Sequence, residues 1–429
     1  MSRLKSTILG CYIPSFFEMH INTNCNDLTI THLSPEDRIV LFHEYIHFMQ
    51  DFCTYYGLNS IYTYSEYLHS VVNRIYKLDS TEFDVPFVIS DNSDNVLLNL
   101  DISKLTLGDT GECNKFVVEN VSIISDQLPE NNHMSSIPSI ILNKNKNICS
   151  FGAMAIMENM AYIMERLCAP NDYAISPDFP YRTAELVADY YVPQFSGDLL
   201  KLLALCDMCL QSSNPGVCFV RTMQEIKEGV LSVSTPESIY DYFYEKKTTM
   251  ADGTENEYLS GFKKLLTVVQ ECLKSYIRIT EKNKSYYQWI DRLVQFAIDW
   301  RENDRYFLLK MARCNDLLTN GCWGKIIHEV GTPLMCNNLG NYFKIPPHGT
   351  NIDMDVEYLR SIREINLLFE KGQIECSMLQ WCQNSPESTP NEKCKKEPWE
   401  KSREQKLCPY AMLWRHWNLS NKKPRYGQR

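Results

Sequence analysis

No stretch of this 429-residue sequence approaches the ~18 consecutive apolar residues of a membrane helix. The start, Met1-Ser-Arg-Leu-Lys-Ser-Thr-Ile-Leu-Gly-Cys-Tyr-Ile-Pro14, also lacks an apolar stretch long enough for a signal peptide. A cytoplasmic location without membrane partners is therefore expected. A surplus of positive charge is missing as well: 43 Lys and Arg against 53 Asp and Glu give a net charge of −10 and a pI near 5.5. That balance argues against general nucleic-acid binding or attachment to anionic membranes. No segment repeats at a fixed period, which sets solenoids aside. What the chain has in abundance is cysteine, 17 in all, and without a secretory signal these read as thiols or metal ligands rather than a disulfide framework. At 44% hydrophobic residues it can bury a substantial core in two or three structural units.

The feature that says most about chemistry is His43-Glu44-Tyr-Ile-His47. On a helix, positions i and i+4 share a face one turn apart, so both imidazoles can reach one metal ion while Glu44 sits beside it unbound. A helix is expected here because Ser34 can cap it, Pro35 fits the first turn, and Asp37 occupies the capping-box position. Phe42, Ile46, Met49 and Cys53 form an apolar stripe beside the ligand face. Gln50, one turn beyond His47, either orients a neighbour of the site or faces solvent. A third ligand is needed, and Glu158 is the best candidate: a lone carboxylate amid Ala153, Met154, Ile156, Met157, Met160 and Ala161, in a run of strong helix formers.

A His-Glu-x-x-His helix followed by a helix bearing Glu158-Asn-Met-Ala161-Tyr-Ile-Met-Glu165 resembles the glutamate-type zincin metallopeptidases, which include thermolysin-like enzymes and zinc aminopeptidases. The resemblance implies that His43, His47 and Glu158 bind Zn2+ and that Glu44 is the general base. It covers two helices and so reaches a superfamily. One departure stands out: Glu158 lies more than a hundred residues after His47, against a few dozen in many members. Either the spacer is an inserted unit or another residue is the ligand, with Glu165 and Glu185 next in line. Zinc brings the pKa of a bound water towards 7, and Glu44 can take its proton and pass it to a leaving amine. Tyr181, Tyr190, Tyr191 or His328 can stabilise the oxyanion.

Two readings follow. The first is zinc-dependent hydrolysis of peptide bonds by a regulated intracellular endopeptidase, with a protein or peptide substrate and a regulatory partner. The second is a non-catalytic interaction protein that keeps a zinc-binding helix pair.

The expected fold class is α+β, a mainly helical zincin-like core with a small N-terminal sheet and a β-rich insertion. Residues 1–79 hold strands at Phe16–Ile21 and Leu28–Thr31 and the His-Glu-x-x-His helix, followed by a helix from Tyr62 to Leu78. Residues 80–148 read as the insertion, with strands at Phe83–Ile89, Val96–Leu100, Phe116–Ile124 and Ile137–Leu142. Residues 149–375 form the helical unit, including Tyr258–Thr280 and Ser285–Leu318. Residues 376–429 form a basic, Cys-rich end. There Cys376, Cys382, Cys394 and Cys408 can hold a structural zinc or an iron–sulfur cluster, with His416 as a spare ligand. Their spacings match no tight motif. Trp399, Trp414 and Trp417 among the basic residues suit an RNA or acidic partner, or an arm docked by its tryptophans. Cys206-Asp-Met-Cys209 falls in an apolar run and reads as buried helix thiols.

Overall fold

Strand β1 (Gly10–Ile13) turns back onto β2 (Glu18–Ile21) and leads into helix α1 (Pro35–Cys53), the element around which the rest is packed. The computed structural model describes residues 9–89, 95–128, 136–143, 148–249, 255–280, 283–348, 354–384 and 390–426; most of the polar start lies outside them. Ser34 caps α1 by accepting the Asp37 backbone N–H at 3.1 Å, and Pro35 stands at the first position, as the start signals dictate. Leu28–Thr31, expected as a strand, is a turn. Asp27 accepts the Thr29 N–H at 2.8 Å and meets His32 Nδ1 at 2.5 Å, and these local bonds outcompete strand pairing.

The α1 helix is buried on more than the expected stripe. Leu41, Tyr45 and Phe48 on its other side are as buried as Phe42 and Ile46, because α2 (Tyr55–Lys77), β1 and β2 pack against it as well as the helices described below. Each such aromatic taken fully out of water contributes roughly 1.5–3 kcal/mol.

Residues 80–148 are mixed rather than uniformly β. Strand β3 (Glu82–Val85) comes first, but Val96–Leu100 belongs to helix α3 (Asn95–Leu107). A short apolar run does not distinguish strand from buried helix by periodicity, and the Asp101–Lys104 pair and the Thr106 hydroxyl bonded to the Ile102 carbonyl follow helical spacing. Strands β4 (Val121–Gln127), β5 (Ser136–Leu142) and β6 (Cys149–Phe151) form an antiparallel sheet with Val121 opposite Leu142 and Ile140 opposite Phe151. β6 delivers the chain straight into α4 (Ala153–Cys168), which lies against α1.

The helices continue with α5 (Thr183–Tyr191), α6 (Leu199–Cys209), α7 (Pro215–Lys227) and α8 (Pro236–Glu245), then a small hairpin of β7 (Lys247–Thr249) and β8 (Glu255–Glu257). After α9 (Tyr258–Ser275) comes α10 (Lys284–Asn303), which also packs on α1. The long helix expected to Leu318 breaks after Asn303 and resumes as α11 (Phe307–Ala312), followed by α12 (Gly321–Val330). Strands β9 (Leu334–Asn337) and β10 (Tyr342–Phe343) return to the first sheet, whose order is β1-β2-β9-β10 with β9 parallel to β2. β1 is thus an edge. Helices α13 (Glu357–Lys371), α14 (Leu379–Asn384), α15 (Lys393–Lys396) and α16 (Pro409–His416) precede β11 (Lys423–Tyr426), which pairs in parallel with β3.

The fold class is therefore α+β, mainly helical with several small sheets. Cys206 and Cys209 are buried helix thiols, and Trp399, Trp414 and Trp417 are all buried, docking the basic end on the body. Among the described residues, no helix is long and apolar enough to cross a membrane.

Candidate metal centre

His43, His47 and Glu158 converge: one ligand atom from each lies within 4.8 Å of the others. His43 Nε2 is 3.1 Å from His47 Nε2 and 3.1 Å from Glu158 Oε2, and His47 Nε2 is 3.4 Å from that oxygen. Tetrahedral ligands held ~2.1 Å from one ion stand about 3.4 Å apart, so the triangle has the size of one face of such a site. The three side chains are 9–13% exposed.

The outward nitrogens decide what the triangle wants. His43 Nδ1 donates to the buried carboxylate of Glu165. His47 Nδ1 donates to Gln50 Oε1 at 2.8 Å, and Gln50 is fixed in that orientation because its Nε2 donates to the Met157 carbonyl at 3.1 Å. The carboxylate and amide oxygens hold a proton on each Nδ1, so both Nε2 atoms turn on the same point beside a carboxylate oxygen, each carrying a lone pair in the neutral ring and a proton in the cationic one. Protons on both Nε2 atoms would collide across 3.1 Å. A divalent cation would satisfy all three atoms and offset the charge of the buried Glu44 and Glu165 and the half-buried Glu158.

The electrostatics carry the same demand. Burial pushes the His43 imidazole down, but Glu165 and Glu158 overcome this and hold it well above its ordinary pKa. His47 is raised against burial by Glu158. Glu158 is held far below the usual carboxylate range by His47 and His43, although burial alone would raise it. Glu44 is moved up by burial, with His43 and His47 opposing.

Glu44 is 6% exposed and lies under the edge strand. A Cβ on Gly10 would stand 2.8 Å from Glu44 Oε1 and 2.6 Å from Val40 Cγ1, so only glycine lets β1 run this close to the carboxylate. Asp51, one turn past His47, ties the same strand down: its Oδ2 accepts the Tyr12 hydroxyl at 2.9 Å and the Ser15 N–H at 2.7 Å.

The reserve ligands take other places. Glu165 sits behind His43 on the ring nitrogen away from the triangle, and Glu185 is a structural anion, bonded to Arg166 Nη1 at 2.5 Å and to Asn159 Nδ2 at 3.2 Å. Of the four oxyanion candidates, Tyr181 stands 6.0 Å from His43, ring to ring. Burial, then Glu158, Glu112 and Glu44, push its phenol far up, so it stays a donor. Tyr190 packs on Tyr191, Tyr191 lies under Lys227, and His328 stacks on His348. Gln50 is buried, which resolves its two readings in favour of orientation. Glu165 and Asp51 were missed in these roles. The signal for Glu165 was its position two turns after Glu158 on the same helix face.

Two results follow from this geometry. Glu165→Gln weakens the pull on His43 Nδ1–H and should lower zinc affinity by about 10–100-fold in a competitive chelator titration, whereas Glu185→Gln should leave it unchanged. Burial pushes Asp51 up to about 7, against the lowering effect of its bonds from Ser15 and Tyr12. Its unfolded value is near 3.9. Between those values the folded state holds the extra proton, so stability falls as pH rises from about 4 to about 7 and changes no further above. Asp51→Asn should flatten that slope, worth at most about 4 kcal/mol, in urea unfolding followed from pH 4 to 8; an unchanged slope would show that Asp51 does not titrate there.

No protein-family model, curated protein or solved structure matches this chain.

Proposed function

We propose that the chain is a zinc-dependent hydrolase of peptide bonds, working inside the cell as a regulated endopeptidase, of the glutamate-zincin type that its two helices resemble. The observation that carries this is the convergence of His43 Nε2, His47 Nε2 and Glu158 Oε2 with Glu44 buried alongside. Bound zinc would supply Lewis acidity, making a water acidic near neutral pH. Glu44, next in sequence to His43, would accept that water's proton and return it to the departing amine. Tyr181, kept protonated, would donate its hydroxyl to the oxygen on which negative charge develops.

Substrate access is supported by two features. β1, the outer strand of its sheet among the described residues, runs beside Glu44, where an extended peptide can add as a further strand. A groove of about 400 Å3 lined by Glu112, Phe116 and Phe179 reaches the segment that carries Tyr181. Among the described residues no two cysteines are joined in a disulfide, which suits a reducing compartment. Control by a partner follows from the same setting, since a broad-cleft protease left open inside a cell endangers its host.

The test is incubation of the zinc-loaded chain, alone and with cell extract, with a library of quenched fluorescent peptides. Cleavage that stops on chelation and returns with zinc is expected, as is a change in rate with extract. Failure of the loaded chain to cut any member under either condition would contradict the reading.

A further inference from the structure

A second group of ligand-type side chains lies far along the chain from the first. Cys376, which precedes α14, Cys382 within it, Cys394 in α15 and Cys408 at the cap of α16 all line a single cavity of about 20 Å3. Four thiols from separate short segments lining one void is not what apolar packing alone requires, because leucine or valine would fill it. The space takes about one water-sized atom, since a single water needs about 10–15 Å3.

The surroundings suit a charged centre. The hydroxyl of Tyr410, a further wall residue, is buried without a hydrogen-bond partner among the described residues. The buried Lys401 also lines the cavity, and Lys393, Lys395 and Lys396 flank Cys394. Four thiolates around one divalent ion leave a net charge of −2, beside lysines of which Lys393 and Lys401 are paired with Glu404 and Lys395 with Glu392. The helices here are four to eight residues long, too short to persist unaided. Their aromatic side is held by Trp399 and Tyr410 against Trp414, and on the cysteine side the Cys376 N–H donates to the Cys394 carbonyl at 3.2 Å. His416 meets Ser275 instead and is no wall of the cavity.

From this arrangement we infer that Cys376, Cys382, Cys394 and Cys408 form a structural tetrathiolate site for one zinc-class divalent cation. The sulfurs do not meet the mutual spacing shown by His43, His47 and Glu158, so binding draws the four side chains inward. Each thiol gives up its proton to solvent as its sulfur–metal bond forms. The site is structural because all four positions are filled by protein and none is left for water.

Cobalt loading of the full chain tests this independently of the His43/His47/Glu158 site, which offers no sulfur. The expected result is an intense thiolate-to-cobalt charge-transfer band, one thiolate-bound ion per chain, and four thiols protected from a thiol reagent until the metal is removed. The band should survive His43→Ala and vanish in Cys376→Ser/Cys408→Ser. A wild-type cobalt spectrum without the band overturns the inference whether or not that variant folds. So does a band that persists in the cysteine variant, or a chain whose mass shows these cysteines paired as disulfides.

Discussion

Glu44→Gln should lower kcat/KM for peptide cleavage by about 10²–10⁴-fold while zinc stoichiometry stays that of the parent. Glutamine preserves the volume beneath Gly10 but cannot take a proton, and it stands outside the triangle formed by His43, His47 and Glu158. The split between binding and turnover separates a proton-transfer role from a packing role. Steady-state kinetics on a cleaved peptide, with metal analysis of the same sample, supplies both numbers. Equal activity in the two proteins would remove Glu44 from the mechanism.

The largest effect on stability is expected at a pair that touches no ligand. Arg301 on α10 and Asp207 on α6 are both fully buried and form two bonds of 2.8 Å, Nη1 to Oδ2 and Nη2 to Oδ1. Tyr240 donates to Asp207 Oδ2 at 2.9 Å, and Arg301 Nε donates to the Cys53 carbonyl at the end of α1 at 2.8 Å. Arg301→Met leaves Asp207 buried without its cation and should cost roughly 3–5 kcal/mol in urea unfolding. Adding Asp207→Leu should recover much of that loss, because the pair together bears a large desolvation penalty that either single change leaves uncompensated. A loss for Arg301→Met no larger than that of a surface substitution would show that the pair is not what joins these helices.

How much of this was legible in the sequence divides along physical lines. The start of α1, the one-turn spacing of His43 and His47, and the candidacy of Glu158 rest on local rules of capping and periodicity, and the structure brings those three side chains together. Glu165, named as a substitute ligand, sits behind His43 instead; both carboxylates share a face of α4, and only the rotation of that helix against α1 decides which meets which nitrogen. Val96–Leu100 looked like strand because five apolar-rich residues fit either period, and packing on α2 settled it as helix. Asp207 and Arg301 lie 94 residues apart, and nothing local to either marks the other. Asp51 had no local mark, because the groups that bond it come from β1 and the turn between β1 and β2.

The most direct measurement is anomalous diffraction at the zinc absorption edge from crystals grown with the metal. A peak is expected bonded at about 2.0–2.2 Å to Nε2 of His43, Nε2 of His47 and a carboxylate oxygen of Glu158. Crystals of the zinc-loaded chain with no peak between these residues, or with the two imidazoles turned from each other, would contradict it.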